Sequence, residues 1–144
     1  EKLIILGDLF HSKYSIDNAL QKKVEDLPEL LKTNVELVLG NHDVGCAIKN
    51  IKIFDIRKTK NMIFSHEPVK LVNNKTLNIC GHYHPKLYLK NNGDKLSFRC
   101  FAMDMHKNTL FLPAFGELTG GYPCKKSFRK WAIVSAEEII EIKS

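Results

Sequence analysis

The sequence predicts an α/β fold in a single domain that spans 1–144. Three observations lead to this prediction: the length of the chain, a strand–helix–strand pattern at its start, and a series of short apolar runs after it. A chain of 144 residues and 16.5 kDa has the size of one domain. Its 44% hydrophobic and 26% charged residues are typical of a globular protein and exclude general disorder.

Two continuous apolar runs predict buried strands in the N-terminal part. "KLIIL" at 2–6 is followed by Gly7, and "VELVL" at 35–39 is followed by Gly40. A short apolar run that is bounded by turn residues is typical of a strand covered on both faces. We therefore expect the polar residues after each glycine at the edge of a sheet, where open α/β sheets bind their ligands.

The segment between these strands predicts a helix. From 16 to 32 the apolar residues recur at spacings of three and four, which places them on one helix face. Asp17 or Ser15 can cap the helix, and Pro28 predicts a kink or a split near its C-terminal end. A strand, a helix of this length and a second strand form a βαβ unit, so the two strands are expected to be parallel.

The rest of the chain is predicted to consist mostly of strands. Short apolar or alternating runs follow one another after Asp43, separated by breaks that contain Asn, Gly or Pro. These runs are 51–56, 61–65, 76–80, 86–90, 96–103, 109–113, 131–135 and 138–142. The Asn-Gly turn in "NNGD" at 91–94 predicts that the runs on its two sides pair as an antiparallel hairpin.

The charge balance favours an anionic partner such as nucleic acid. The net charge is +6 and the pI is about 9.1, although a composition rich in lysine would give the same figure. Basic residues are scattered except in "KKSFRK" at 125–130, which can follow phosphates or form a solvated turn. No apolar run approaches the roughly 20 residues that span a bilayer, so no membrane partner is expected.

The cysteines and the N-terminus indicate where the protein works. The four cysteines form no CxxC pair, which argues against a zinc ribbon or a redox motif and favours free thiols in a reducing cytosol. No signal pattern is present, and we expect a cytoplasmic protein. The chain begins at Glu1 and leads at once into a core strand, from which we expect that a preceding segment has been lost.

Five of the six histidines lie in motifs that follow apolar runs, and only His106 stands apart. The five are His11 in "GDLFH", His42 in "GNHD", His66 in "SHEP", and His82 and His84 in "GHYHP". An isolated histidine such as His106 is usually a surface or core residue. Five histidines with an Asp and an Asn at strand ends point instead to a metal site.

Each residue type in these motifs has a role in metal chemistry. The carboxylate of Asp8 can bridge two cations about 3.5–4 Å apart. The amide oxygen of Asn41 and the imidazoles of His66, His82 and His84 complete a mixed nitrogen and oxygen set. Such a set suits Mn²⁺, Fe²⁺ or Zn²⁺ better than Ca²⁺ or Mg²⁺.

"GNHD" combines a candidate ligand with a candidate proton donor. Asn41 can bind metal while the next residue, His42, points toward the leaving oxygen of a substrate. Asp43 can then hold the His42 imidazole in the correct tautomer. The alternative is an Asn-containing turn after a strand.

Taken together, "GDLFHS", "GNHD", "SHEP" and "GHYHP", in this order, resemble the motifs of the calcineurin-like metallophosphoesterases. The resemblance implies a four-layer β-sandwich flanked by helices and a dinuclear phosphoesterase with Mn, Fe or Zn. It implies that Asp8 bridges the metals and that His42 stabilises the transition state and protonates the leaving group. The implied ligands of one site are Asn41, His66 and His82 with Asp8, and His84 belongs to the other.

A narrower resemblance involves "LPAFGELTGG" at 112–121 as well, although this stretch alone is also typical of a structural loop. With it, the motifs are similar to those of the bacterial ligase-associated DNA damage response endonucleases, the PdeM group, related to the SbcD-type nucleases. This implies a DNA endonuclease or phosphodiesterase, functionally associated with a DNA ligase and helicase repair system. His11 corresponds to a histidine that faces DNA or supports the ligands from outside.

The sequence departs from the family at its first motif. The family takes an Asp and a His for the first metal from a D-x-H motif that precedes the run at 2–6, and this sequence has no residues there. We therefore expect a fold without its first strand, with one metal bound well, the other poorly, and reduced activity. Two alternatives remain open: a phosphatase or phosphodiesterase of small phosphoesters, and a degenerate fragment that keeps one metal.

Overall fold

The computed structural model describes residues 1–10, 16–45, 47–73, 75–91, 94–116 and 119–143, and twelve strands and two helices lie in this part of the chain. In the N-terminal part these are β1 (Lys2–Ile5), α1 (Asn18–Glu25), α2 (Leu27–Leu30), β2 (Asn34–Val38) and β3 (Lys52–Phe54). The remaining strands are β4 (Arg57–Lys58), β5 (Met62–Ser65), β6 (Leu77–Cys80), β7 (Pro85–Asn91), β8 (Asp94–Asp104), β9 (Thr109–Phe111), β10 (Tyr122–Pro123), β11 (Arg129–Ile133) and β12 (Ile139–Ile142).

The N-terminal elements form a three-stranded parallel sheet with the order β1-β2-β3. The predicted parallel pairing of the first two strands is confirmed, with Leu3 opposite Val35. The Asp17 carboxylate caps α1 by accepting a hydrogen bond from the Leu20 amide at 2.7 Å. Pro28 lies in the first turn of α2, so the predicted helix is split in two as expected from its missing amide donor.

The first hydrophobic core lies between α1, α2 and one face of this sheet. Its buried members are Phe10, Val24, Val35, Leu37, Ile48 and Ile51. Side chains alternate between the two faces of a strand. Glu36, between two core residues of β2, is therefore directed to the opposite face, and it is also buried.

The other strands form a nine-stranded mixed sheet. Its order is β10-β7-β8-β9-β6-β5-β4, and β8 also pairs with β11, which pairs with β12. β5, β6 and β9 are parallel to one another, so their carboxyl ends lie at one edge. The predicted antiparallel hairpin is confirmed, since β7 and β8 pair from Lys86 opposite Arg99 to Asn91 opposite Asp94.

The α/β sandwich predicted from the sequence is confirmed: two sheets are present, and the helices that the structure describes cover the smaller one. Two details differ from the prediction. The run at 51–56 is not one strand, because β3 ends at Phe54 and the chain then enters the larger sheet as β4. The short strand β10 was not predicted, because two residues carry no periodic pattern.

An ion cluster around the buried carboxylate of Glu36 joins the two sheets. The Glu36 carboxylate of β2 accepts hydrogen bonds from Lys2 Nζ at 2.5 Å and from Arg57 Nε at 2.9 Å. Arg57 belongs to β4 of the larger sheet. Both carboxylate oxygens therefore have a cationic partner, one from each sheet.

The "KKSFRK" segment is divided between the surface and the interior. Phe128 and Lys130 are buried, and Lys130 donates to the Lys126 carbonyl at 3.1 Å. Arg129 points outward and forms an ion pair with Glu141 at 2.7 Å. Because β11 alternates its side chains between two faces, this segment does not present one continuous basic surface.

Two further observations concern the described residues as a set. None of their helices is long and apolar enough to cross a membrane. Cys80, Cys100 and Cys124 are free thiols, and Cys46 lies outside the described residues.

Candidate metal centre

Asp8 follows β1 at a point where two glycine backbones are in contact. A Cβ atom on Gly7 would lie 2.7 Å from the Cα of Gly40 and would also overlap His66 Nδ1. Gly7 has φ 84°, and Asp8 itself has φ 52°, a left-handed conformation that is uncommon for a residue with a side chain. The turn therefore directs the Asp8 carboxylate out of the end of the sheet at a cost in backbone strain, as functional sites often do.

The loop after β2 is held against this turn by two carboxylates. Asp43 is fully buried, and its oxygens accept hydrogen bonds from the amides of Phe10 at 3.1 Å and Gly40 at 3.0 Å. The His42 amide donates to Asp8 Oδ1 at 3.1 Å. These bonds join "GDLF" and "GNHD" into one unit although they are more than thirty positions apart.

His66 follows β5, and a buried hydrogen-bond network fixes its turn. Asn78 on β6 is fully buried and donates to Ser65 Oγ at 2.8 Å and to the Ile63 carbonyl at 3.1 Å. Its own side-chain oxygen accepts from the Val69 amide at 3.0 Å. Sequence reasoning missed this residue, although a lone Asn inside the apolar run "TLNIC" was a signal of a buried polar network.

The loop after β6 carries the other two histidines. His82 and His84 have φ 55° and 45°, so both lie in the left-handed region. Tyr83 between them is half-buried, and its amide donates to the Gly81 carbonyl at 2.6 Å. Three of the predicted ligands thus share a strained backbone conformation, Asp8 being the third.

The structure brings four predicted ligands together around one point. His66 Nε2 lies 3.3 Å from Asp8 Oδ2, 3.0 Å from Asn41 Oδ1 and 2.9 Å from His82 Nδ1. Among the described residues, Asp8, His66 and His82 form a cluster whose ligand atoms all lie within 4.8 Å of one another. Ligand atoms at about 2.1 Å from a cation and at right angles are about 3.0 Å apart, so these separations suit one shared ion.

The tautomer of His66 strengthens this interpretation. Its Nδ1 lies 2.8 Å from the Leu6 carbonyl oxygen, which can only accept, so Nδ1 carries the proton. With its proton on Nδ1, the ring can present the lone pair of Nε2 to a cation that the oxygens of Asp8 and Asn41 also bind. The mixed nitrogen and oxygen set fits a divalent transition metal.

The protonation of two neighbouring groups also bears on the site. Half-burial lowers the pKa of the His84 imidazole, and the charge of Asp8 opposes this shift in part. The neutral ring is the form that can bind a metal. Burial raises the pKa of the Cys80 thiol to about 12, so burial favours the protonated form of this thiol, which is close to the cluster in sequence.

The remaining predicted residues have varied outcomes. His42 is exposed on its loop, and its role as proton donor stays a prediction. The role of Asp43 in orienting the His42 ring also stays a prediction, while its bonds to Phe10 and Gly40 add a structural role that the sequence did not suggest. His84 is close enough to Asp8, His66 and His82 for their charges to affect its pKa. His11 lies outside the described residues.

The fold and the cluster of ligands together define a metal-dependent hydrolase acting on ester bonds. The family model of the calcineurin-like phosphoesterases matches residues 1–136, and the chain therefore belongs to this family. The predicted family is confirmed.

Among solved structures, the chain is similar to the Pseudomonas putida nuclease MPE. The two share 31% sequence identity with a TM-score of 0.78, and the alignment covers 99% of this chain and 71% of that chain. No curated protein matches the chain significantly.

Proposed function

We propose that this phosphoesterase hydrolyses phosphodiester bonds of DNA and uses two divalent cations, with Mn²⁺ as the native metal. The observation that carries the proposal is the convergence of four side chains. Atoms of Asp8, Asn41 and His82 lie 2.9–3.3 Å from Nε2 of the fourth, His66. The first cation belongs in this cluster. Asp8 and His84 would hold the second, as the family resemblance implies.

When bound, divalent cations in such a site neutralise the phosphoryl oxygens and lower the pKa of water. The chain itself supplies geometry and a proton. Asp8 presents Oδ2 to the cluster while its Oδ1 accepts the His42 amide, so the candidate proton donor is tied to a candidate ligand. In our proposal the His42 imidazole donates its proton to the departing oxygen.

DNA as the substrate is supported by the charge and by the nuclease to which the chain is similar. A net charge of +6 attracts a polyanion, and the attraction falls with salt. The functional association with a DNA ligase and helicase repair system belongs to the same proposal and rests on the resemblance to the PdeM group. A cytoplasmic location is supported by the free thiols of Cys80, Cys100 and Cys124.

A comparison of substrates under a metal titration tests the proposal. The 144-residue chain is titrated with Mn²⁺ while the cleavage of single-stranded DNA and of a small aryl phosphodiester is followed, at several salt concentrations. We expect DNA cleavage with a KM that rises steeply with salt, and a KM for the small ester that does not. Cation content per chain, measured by metal analysis, gives the stoichiometry.

The outcomes separate the candidate functions. Hydrolysis of the small ester without DNA cleavage would support a phosphatase or phosphodiesterase of small phosphoesters. One tightly bound cation with little turnover would agree with the reduced activity expected from the sequence. Absence of any cation at the cluster would overturn the proposal.

A further inference from the structure

An aromatic pair adjoins the loop that carries two of the candidate ligands. Tyr83 is flanked in sequence by two candidate ligands, His82 and His84. Its ring stacks on that of Tyr122, with centroids 5.8 Å apart and planes inclined by 12°. We call these two rings the aromatic platform.

The backbone around the platform is tied to the ligand loop. The Tyr122 amide donates to the His84 carbonyl at 3.2 Å, and the Tyr83 hydroxyl donates to the Pro123 carbonyl at 2.6 Å. β10, which contains Tyr122, also pairs with the start of β7 just after His84. The position of the platform is therefore coupled to that of the candidate ligands.

The two rings differ in what they contact. Tyr83 is half-buried and packs on Phe111 with ring centroids 5.3 Å apart, so the core accounts for it. Tyr122 is 61% exposed, which leaves most of its surface to solvent. A large exposed aromatic residue is a frequent feature of binding surfaces.

We propose that Tyr122 stacks on an unpaired nucleobase of the DNA strand whose phosphate lies at the metal centre. The inference rests on the proposed function. In it the metal centre binds the phosphate, and Tyr122 binds the base. Stacking on an aromatic ring accepts every base, because each base has a π-face.

Two variants separate stacking from a merely structural role. Tyr122→Phe keeps the flat ring, whereas Tyr122→Leu keeps apolar contact with Tyr83 but removes the π-face. Leu30→Ala, on the exposed side of α2, is a control for changes elsewhere on the surface. Thermal melting of each variant checks that the fold is retained.

The probes are two labelled oligonucleotides of equal length, oligothymidylate and its abasic counterpart, which has the same phosphates without bases. Binding is measured by fluorescence anisotropy in EDTA, so the readout does not depend on turnover. We expect Tyr122→Leu to weaken oligothymidylate binding about 5- to 100-fold and abasic binding less than about 2-fold. Tyr122→Phe and Leu30→Ala should remain within about 2-fold of the wild type for both probes.

Equal weakening of both probes by Tyr122→Leu, or no weakening of either, would overturn the stacking role and leave the proposed function intact. A wild-type chain that hydrolyses the small ester but neither binds nor cleaves DNA would overturn DNA as the substrate, and the stacking role with it. The two failures are therefore distinguishable.

Discussion

The two sheets contribute to the metal centre by different physical means. In the three-stranded sheet, Asp8 and Asn41 each follow a glycine, and the two glycine backbones are in contact. In the nine-stranded sheet, the turn that carries His66 is held by a buried polar network around Asn78. The half that carries Asp8 and Asn41 requires glycines, because side chains would not fit there. The half that carries His66 requires the side chain of Asn78.

The two halves are therefore expected to tolerate different substitutions. Where backbones touch, even one added methyl group must displace something. Where a buried amide bonds to three partners, its removal takes one hydrogen bond from each of them. Substitutions on each side, and at the ion cluster between the two sheets, test this difference.

The largest effect is expected from a matched pair of histidine substitutions, one on each side. His42→Ala should lower turnover by roughly 10²–10⁴ while cation content barely changes, because His42 is proposed as a proton donor. His66→Ala should remove the cation itself, because Nε2 is central to the cluster. Turnover and metal analysis of the purified variants measure both. Loss of the cation from the His42 variant would show that His42 binds the metal and would contradict its role as proton donor.

The second prediction concerns glycine packing on the three-stranded side. A Cβ atom at Gly40 would overlap the Asp8 amide and carboxylate, so Gly40→Ala should move that carboxylate and weaken cation binding about 10- to 100-fold. Isothermal titration with Mn²⁺ measures this. Gly120→Ala is the control, since none of the described residues lies within 4 Å of a Cβ there. Equal affinities for the two variants would contradict the packing argument.

The third prediction concerns the polar network on the nine-stranded side. Asn78→Ala removes one buried hydrogen bond each from Val69, Ile63 and Ser65, so we expect a loss of about 2–3 kcal/mol in the free energy of unfolding. The turn of His66 should loosen as well, with a fall in cation affinity. Chemical denaturation compares it with Asn61→Ala at an exposed position. An Asn78 variant with unchanged stability and unchanged cation affinity would show that the network does not support the site.

The smallest effect concerns the ion cluster between the sheets. The hydrogen bond from Lys2 lowers the pKa of Glu36, burial opposes this, and Arg57 adds to the lowering. A carboxyl with a lowered pKa in the folded state stabilises the protein above its ordinary pKa, and this stability is lost as pH falls through the folded value. Glu36→Gln should therefore lower the Tm at neutral pH by about 4 °C, the shift that ~1 kcal/mol produces at this size.

Melting curves of Glu36→Gln and the wild type across pH provide the measurement. The difference in Tm should shrink in acid, because the wild-type carboxyl is then protonated too. A difference that stays constant with pH would mean that the loss comes from packing and not from charge.

Much of the fold and the candidate site was predictable because the signals are local. The split helix followed from Pro28, and the β7–β8 hairpin followed from an Asn-Gly turn. The break between β3 and β4 was missed, because the apolar pattern continues while the chain changes sheets. Periodicity shows which residues can be buried in a sheet, but it does not show which strand they pair with.

Which side chains can bind a metal, and that they follow strand ends, could be read from the sequence, because residue identity and strand periodicity are local properties. How these side chains meet depends on the tertiary structure. Leu6 and His66 are 60 positions apart, and Asn41 and His66 are 25 apart, so strand pairing and sheet packing bring them within hydrogen-bond distance. The tautomer of His66 depends on the Leu6 carbonyl. Every residue has a backbone carbonyl, so the sequence does not show which one accepts this hydrogen bond.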